Sequence, residues 1–508
     1  MSETNGKVIP PTLADLRSSH KTGSAYSHTF PVHTKTIPSP LSKEAPPESY
    51  RGFVNLGMLL LFGNNIRLII ENYLKYGFLL SFPGSKVSKQ DWILTAVTHG
   101  LLPLNVLLAH LLERWAMKKA IGFRKRLQED RLAKTTAVDE KPKMKGKAPL
   151  TIEAAASANQ SVVGWLHFLN VFFIIAWPSF MSYYMIFHPF MAMSALMNGC
   201  ILFLKMTSYA LVNHDLRAAY IFDLPKDSFH HLAKVHDVAS KVHVHDETFT
   251  YDVQYPDNIA ITNIGYFWFA PTLCYQPSYP RTTVFRKSFF MKRVLEILTC
   301  LGMMYFLIEQ YATPTLRNSV GAFDQLAFGT IVERVLKLST TSVIIWLLMF
   351  YTFFHACFNA LAEILYFGDR CFYLAWWNAV SLQQYWKWWN KPVYTFFKRH
   401  VYLPLITKGW HPITASIIIF TISAILHEVL IGFPTHMILG YAFAGMFFQL
   451  PLIAMTAPLE KWRGPGSGLG NMIFWVSFTI VGQPACALLY YYHWTKRHVD
   501  DGAVITGR

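Results

Sequence analysis

An ionisable pair lies inside one of the most apolar stretches of this 508-residue chain. His427 and Glu428 stand next to each other within 413–434, a run of 22 residues that is long enough to cross a bilayer. Ionisable residues inside a membrane are costly and mark functional sites by default. Apolar surroundings favour a neutral imidazole, which can accept a proton as a general base. The alternative is a structural histidine bonded to a neighbouring helix.

Further polar groups accompany this pair in apolar stretches. Ser423 lies four residues before His427, so the two share one face of the predicted helix. Gln449 and Gln483 are amides inside later apolar spans, and an intramembrane amide bonds either another helix or a developing oxyanion. The chain has no GxSxG motif, which disfavours a covalent serine mechanism and leaves direct attack assisted by a base.

A third set combines aromatic residues with cations over 367–405. Its basic residues are Lys387, Lys391, Lys398 and Arg399. This composition predicts an amphipathic helix that lies on the membrane surface. The same aromatic walls and cations could instead hold the adenine and phosphates of an acyl donor.

The composition indicates a polytopic membrane protein. Hydrophobic residues make up 52% of the chain and charged residues only 15%, which is too apolar for one soluble domain of this size. The net charge of +16 indicates basic cytoplasmic loops, and no zinc-finger or helix-turn-helix motif favours nucleic acid as a partner. The six cysteines form no CxxC pair, and the His-rich stretch 230–245 lacks zinc-ligand spacing, so we expect a solvated loop there and no metal site.

Hydropathy predicts an all-α fold of about nine transmembrane helices. The predicted spans are 53–76, 92–112, 162–184, 188–211, 293–312, 339–364, 413–434, 437–457 and 471–493. Polar residues interrupt the first of them. We find no internal repeat.

The positive-inside rule orients these spans. The segment 113–148 is rich in lysine and arginine, so we place it in the cytosol as a loop. Nine crossings then leave the N-terminus in the cytosol and the C-terminus in the lumen. The polar segment 1–49 has few large apolar residues and is predicted to be a disordered cytosolic tail. It has no apolar core of the kind that a cleaved signal peptide needs.

Several long motifs resemble one enzyme family. They are "YRGFVNLGMLLLFGNNIRLIIENYLKYG" from Tyr50, "FWFAPTLCYQPSYPRT" from Phe267, "FGDRCFYLAWWN" from Phe367, "NKPVYTFFKRHVYLP" from Asn390, the "HE" pair, "GMFFQLPL" and "GQP". Together they resemble the membrane-bound O-acyltransferase superfamily, in the branch of sterol and diacylglycerol acyltransferases. The likeness covers about 50–495, which it implies is the acyltransferase membrane domain, followed by a short luminal tail over 496–508.

The resemblance implies a role for each matching residue. His427 falls on the family's catalytic histidine, and Asn390 falls on a polar residue beside the reaction chamber. The matching positions in the chamber or near the acyl-CoA channel are Gln449, Gln483, Ser423, Trp377, Trp386, Trp389 and Tyr402.

The family fold implies a ring of transmembrane helices around a buried reaction chamber. The implied reaction transfers a fatty acyl group from acyl-CoA, as co-substrate, to the hydroxyl of diacylglycerol and makes triacylglycerol. It implies no cofactor, and a homodimer or homotetramer among the lipids of the endoplasmic reticulum membrane. A sterol or a long-chain alcohol stays open as the acceptor. A transporter is an alternative from a different class of protein. Transporters often show paired repeats, and we find none in this sequence. A non-catalytic lipid-binding homologue is the third alternative.

One position departs from the family pattern. The motif usually reads F-Y-x-D-W-W-N, and here Ala375 stands in place of the aspartate. Either the aspartate only orders the surface helix, or this copy is impaired. We favour the first interpretation because His427, Asn390 and Trp377 are intact.

Overall fold

The described residues of the computed structural model form a helical protein. The description covers residues 32–40, 48–60, 87–136, 152–223, 253–325, 327–463 and 469–500, together with Ser42, Glu44, Ala45 and Gly63. Within these ranges the chain forms no β-strand, and its only extended pairings are two isolated bridges, Ile37 with Asp369 and Arg281 with Phe367. The His-rich stretch 230–245 lies outside the described residues.

Helices account for most of the described chain. The α-helices are α1 (51–60), α2 (Lys89–Thr136), α3 (Ile152–Phe180), α4 (Pro189–Phe222), α5 (Ile261–Phe269), α6 (Lys287–Leu307), α7 (Thr313–Arg317), α8 (Val320–Asp324), α9 (Phe328–Phe350), α10 (Phe358–Ile364), α11 (Leu382–Trp388), α12 (Lys391–Phe397), α13 (Leu403–Thr407), α14 (Pro412–Gly432), α15 (Tyr441–Phe447), α16 (Gln449–Arg463), α17 (Leu469–Phe474) and α18 (Gln483–Asp500). Turns of π-helix are Met181–Met185, Ile308–Ala312, Tyr351–Cys357, Lys398–Tyr402 and Trp475–Gly482, and Trp376–Asn378 is a 3-10 turn.

Seven helical stretches of the described chain are long and apolar enough to cross a membrane. They are Lys89–Ala133, Ile152–Met185, Pro189–Phe222, Phe328–Ile364, Pro412–Gly432, Tyr441–Pro458 and Leu469–Arg497. Each matches one predicted span, so the polytopic helical class is confirmed. The count of nine is not confirmed, because most of 53–76 lies outside the described residues and α6 is not among the seven.

The basic segment predicted as the loop 113–148 is helical as far as Thr136. Lys, Arg, Leu and Glu favour a helix, and Lys125 lies 4.0 Å from Glu129 one turn later. The 48 residues of α2 span about 72 Å, more than twice the hydrocarbon thickness of about 30 Å. The helix therefore continues well beyond the bilayer.

The single amphipathic helix predicted over 367–405 is replaced by short elements. A 3-10 turn, α11, α12, a π-turn and part of α13 follow one another there. Asn390 and Pro392 begin a new helix, which ends the preceding one. Trp376, Trp377 and Tyr385 are buried, so much of this segment belongs to the core rather than to a membrane surface.

Buried ion pairs join the first three long helices. Glu113 of α2 accepts hydrogen bonds from Arg217 of α4 at 2.5 Å and from His167 of α3 at 2.8 Å. Arg217 also donates to Gln160 of α3 at 2.8 Å. Because all four side chains are buried, the charges are compensated inside the protein, and the network fixes the three helices to one another.

Part of the predicted N-terminal tail packs in the fold. The backbone N–H groups of Val32 and His33 donate to Gln276, at 2.9 and 2.5 Å. The His33 ring contacts Asp369 at 2.5 Å and Thr272 at 2.6 Å. The segment 32–40 is therefore an integral part of the structure, and residues 496–500 of the predicted C-terminal tail belong to α18.

Candidate active site

His427 lies on α14 with its imidazole oriented by the helix itself. Its Nδ1 atom is 2.7 Å from the carbonyl oxygen of Ser423. A carbonyl oxygen only accepts, so Nδ1 carries the proton, and a neutral ring then has its lone pair on Nε2. No hydrogen bond to Nε2 is found among the described residues. The geometry thus leaves Nε2 without a hydrogen-bond partner in the described chain, and Ser423 orients the ring through its carbonyl rather than its hydroxyl. The role of His427 as a base stays a prediction.

Glu428 points away from its neighbour and binds other elements. Its Oε1 accepts from the Gly440 N–H and from the Tyr490 hydroxyl, both at 2.8 Å, and its Oε2 accepts from the Phe443 N–H at 3.0 Å. Gly440 is the N-cap residue of α15, and Tyr490 belongs to α18. The carboxylate therefore joins α14 to α15 and α18, as expected for adjacent helical residues that point about 100° apart.

Asn390 begins α12. Its side-chain oxygen accepts from the backbone N–H of Val393 at 3.2 Å, which makes it the N-cap of that helix. The cap occupies the amide oxygen and leaves the NH2 group as the donor for another partner. The predicted chemical role of Asn390 thus depends on its amide nitrogen.

Helices α12 and α14 contribute to the same apolar cluster. The apolar cluster between these helices includes Val393, Phe396, Phe397, Ile419, Ile422 and Leu426. Val393 lies one turn after Asn390, and Leu426 directly precedes His427. Asn390 and His427 therefore each lie within one turn of a residue of the same apolar cluster.

Trp386 of α11 contacts the same helix. Its ring lies edge to face with Phe420 at 6.1 Å, and Phe420 is two turns before His427 on one helical face. Along the axis the separation is about 10 Å. Trp386 also lies 6.2 Å from Trp389, and its indole N–H is buried with no partner in the described chain. Trp386 therefore contacts α14 directly and Trp389 lies next to Trp386, while a role of either in binding acyl-CoA stays a prediction.

The two predicted glutamines stand at the first positions of their helices. Gln449 begins α16, which packs against α11, and its NH2 group donates to Gly445 at 3.2 Å. Gln483 begins α18, two turns before Tyr490 on the same face. The side-chain oxygens of both are buried and have no partner in the described part of the protein. Buried amides normally have partners, so these two retain hydrogen-bonding capacity for a bound molecule.

Two predicted residues, Trp377 and Tyr402, lie apart from this group. Trp377 is fully buried among Tyr50, Phe53 and Trp376, and its indole donates to the Ser49 carbonyl at 3.3 Å. Its contacts are those of a core residue, and its role in substrate binding stays a prediction.

Tyr402 packs with Leu403 near Ala415, twelve residues before His427 on α14. Twelve helical residues correspond to about 18 Å, so Tyr402 is remote from His427. Burial raises the pKa of its phenol, which keeps the hydroxyl a donor at neutral pH.

The four predicted cations of this region are not equivalent. Arg399 is fully buried and donates to the Tyr275 carbonyl at 3.0 Å, and its predicted part in holding phosphates stays a prediction. The Lys391 ammonium lies 5.5 Å from the centre of the Tyr394 ring. Lys387 is exposed, and both lysines keep the predicted capacity to attract an anionic donor.

Ala375 precedes the 3-10 turn at Trp376–Asn378. It is the N-cap residue of that turn, and it makes no side-chain cap. The turn instead closes through its backbone, from the Asn378 N–H to the Ala375 carbonyl at 2.9 Å. An aspartate at this position would cap a local turn, which supports the interpretation that it orders the segment.

Two contact residues of the site were missed in the sequence. Phe420 shares the helical face of His427, so its spacing was a usable signal. Tyr490 binds Glu428 across 62 residues of sequence, and no local pattern marks that contact.

The described residues form a polytopic helical membrane protein in which His427 donates its Nδ1–H to Ser423 and the amide oxygens of Gln449 and Gln483 are buried without a partner. The family model described as "MBOAT, membrane-bound O-acyltransferase family" matches residues 173–492. The chain belongs to the membrane-bound O-acyltransferase family, and it is an acyltransferase.

Relatives extend the likeness over nearly the whole chain. "Diacylglycerol O-acyltransferase 1B" of Glycine max is 35% identical over 93% of this chain and 83% of its own length. "Diacylglycerol O-acyltransferase 1" of Corylus americana is 35% identical over 93% and 78%, and the protein of that name in Arabidopsis thaliana is 34% identical over 93% and 79%.

Proposed function

We propose that this protein transfers a fatty acyl group from acyl-CoA to diacylglycerol and forms triacylglycerol. The names of its relatives support this acceptor. The observation that carries the chemistry is the Nδ1–H bond from His427 to Ser423, which leaves Nε2 as a base in an apolar helix.

The proposed step needs no covalent acyl-enzyme and no cofactor. His427 Nε2 takes the proton of the diacylglycerol hydroxyl while that oxygen attacks the thioester carbonyl carbon. The tetrahedral intermediate collapses, the carbon–sulfur bond breaks, and the coenzyme A thiolate takes the proton from the imidazolium. The amide groups of Asn390 and Gln483 position the substrates or donate to the oxyanion.

We also propose the setting in which the enzyme works. It is a multi-pass protein of the endoplasmic reticulum membrane, with a cytosolic N-terminus and a luminal C-terminus, and it acts as a homodimer or homotetramer. The basic stretch at the end of α2 supports this orientation. Protease protection of terminal tags in sealed microsomes checks the orientation, and light scattering in detergent checks the oligomer.

The acceptor is tested with purified protein in detergent. Labelled oleoyl-CoA is supplied with diacylglycerol or with a sterol, to the wild type and to His427→Ala. Triacylglycerol from the wild type alone is the expected result. Sterol ester in its place would contradict the proposed acceptor and keep the family chemistry. Equal activity in folded His427→Ala would contradict the proposed base.

A further inference from the structure

The carboxylate of Glu428 has an unusual set of partners for a buried acid. It is 7% exposed, and its three donors are the N–H groups of Gly440 and Phe443 and the hydroxyl of Tyr490. All three are neutral. Glu113, the buried acid of the α2–α4 network, is instead met by the guanidinium of Arg217. Hydrogen bonds to a charged acceptor are roughly twice as strong as neutral ones, so this contact is well suited to fix positions.

Two of the donors are N–H groups at the start of α15, where the helix itself provides no acceptor for them. A helix start presents unpaired N–H groups and a positive dipole end, and a carboxylate there satisfies both. Gly432 makes this approach possible, because a Cβ atom at that position would lie 2.7 Å from the Met437 carbonyl and 3.1 Å from Glu428 Oε1. The turn after α14 thus folds back over the carboxylate.

The elements that Glu428 binds are connected to the two glutamines. Helix α15 leads through Phe448 directly into α16, which begins at Gln449. Tyr490 lies two turns after Gln483, on the same face of α18. One side chain, next to His427 in sequence, is therefore bonded both to α15, which leads into the helix of Gln449, and to α18, which carries Gln483.

We infer that Glu428 is a positioning residue of the acyl transfer, which acts through α15 and Tyr490 on the placement of Gln449 and Gln483 and not on His427. The inference rests on the proposed function. In this role Glu428 is not a charge partner of His427, since its carboxylate makes its hydrogen bonds to other elements.

The first test compares Glu428→Gln with Tyr490→Phe and the control Tyr491→Phe. Glutamine puts an NH2 group where a carboxylate oxygen now accepts from a backbone N–H, so we expect kcat to fall about 100-fold. Tyr490→Phe removes one donor and is expected to lower kcat about 10-fold. The Tyr491 ring packs on Trp494, and its loss of a hydroxyl is expected to leave kcat unchanged.

The kinetic pattern separates positioning from the alternatives. We expect the KM for acyl-CoA to stay within about twofold and the midpoint of the kcat–pH profile to match that of the wild type. A shifted midpoint in Glu428→Gln would mean that the carboxylate acts on the histidine, and it would overturn the inference. Unchanged kcat in both folded variants would overturn it as well.

A double-mutant cycle tests the route through Gln483. If Tyr490 acts by placing the Gln483 amide, Tyr490→Phe should lower kcat little in a protein that already carries Gln483→Leu. The double variant should then have the kcat of Gln483→Leu alone. Additive losses would indicate a general structural effect and contradict the inference. The cycle does not depend on Glu428→Gln, so the inference stays testable if that variant fails to fold. Triacylglycerol synthesis by the wild type in the same assay tests the proposed function separately.

Discussion

Two buried acids of this protein stand in contrasting surroundings. Glu113 is matched by Arg217 and His167, and its network holds α2, α3 and α4 together. Glu428 is matched by neutral donors on α15 and α18, beside two glutamines whose oxygens have no partner in the described chain. In the Glu113 region the charges are paired with one another. In the Glu428 region two buried amide oxygens have no hydrogen-bond partner in the described chain. The first arrangement stabilises the fold, and the second is the one that a substrate-binding site would need.

The largest expected effect is the loss of activity in His427→Ala. A positioned general base contributes about 100- to 10,000-fold, so the rate of acyl transfer is expected to fall within that range. The thermal unfolding midpoint should change little, because the imidazole of His427 binds only within its own helix turn. The control is Thr421→Val, a half-buried residue of α14 whose hydroxyl also bonds within the helix. Rates from labelled oleoyl-CoA at equal folded protein check this, and a rate in His427→Ala close to the control would contradict it.

In the α2–α4 network we expect a loss of stability with little change in activity. Arg217→Met leaves Glu113 buried with only His167 as partner, which costs about 3 to 5 kcal/mol of folding stability. Activity per folded molecule should be retained, because these helices carry none of the candidate residues. Glu113→Gln with Arg217→Met removes both charges and should recover much of the lost stability. Denaturation in detergent checks this, and a selective loss of kcat would contradict the comparison.

Asn390 connects the two kinds of role, since it caps a helix and offers an amide donor. Asn390→Asp keeps a capping oxygen and loses the NH2 group, so stability should hold while kcat falls about 100-fold. Asn390→Ala loses both and should also be less stable by about 1 kcal/mol. Thermal scans beside rate assays check the pair. Equal activity of the aspartate variant and the wild type would restrict Asn390 to capping.

The smallest expected effect concerns Ala375. If an aspartate there only caps the following turn, Ala375→Asp should raise stability by about 1 kcal/mol and leave kcat unchanged. Thermal scans and rate assays on the purified variant check both quantities. A large gain in kcat would instead identify this copy as an impaired enzyme, and would contradict the interpretation that we favour.

Local patterns in the sequence were sufficient for the elements that a single segment determines. The span that holds His427 is readable from hydropathy, and the Asn-Lys-Pro sequence at Asn390 has the signature of a helix start. The length of α2 was missed because hydropathy marks where a helix leaves the apolar phase, not where it ends.

Contacts between distant segments were beyond the sequence. Nothing near Glu428 indicates that Tyr490 will meet it, and nothing in the polar N-terminal segment indicates that Gln276 will bind its backbone. Such contacts depend on how the helices pack. The family resemblance supplied the candidate residues of the site, and packing decided which of them adjoin α14.

The docking of residues 32–40 also has a consequence for how the chain is made. His33 meets Asp369 only after 336 further residues have been synthesised. At about 5 to 20 residues per second, the ribosome needs roughly 20 to 70 s to supply that partner. Residues 32–40 therefore lack this partner while most of the helices are inserted. Nascent chains arrested before Asp369 should expose this segment to protease.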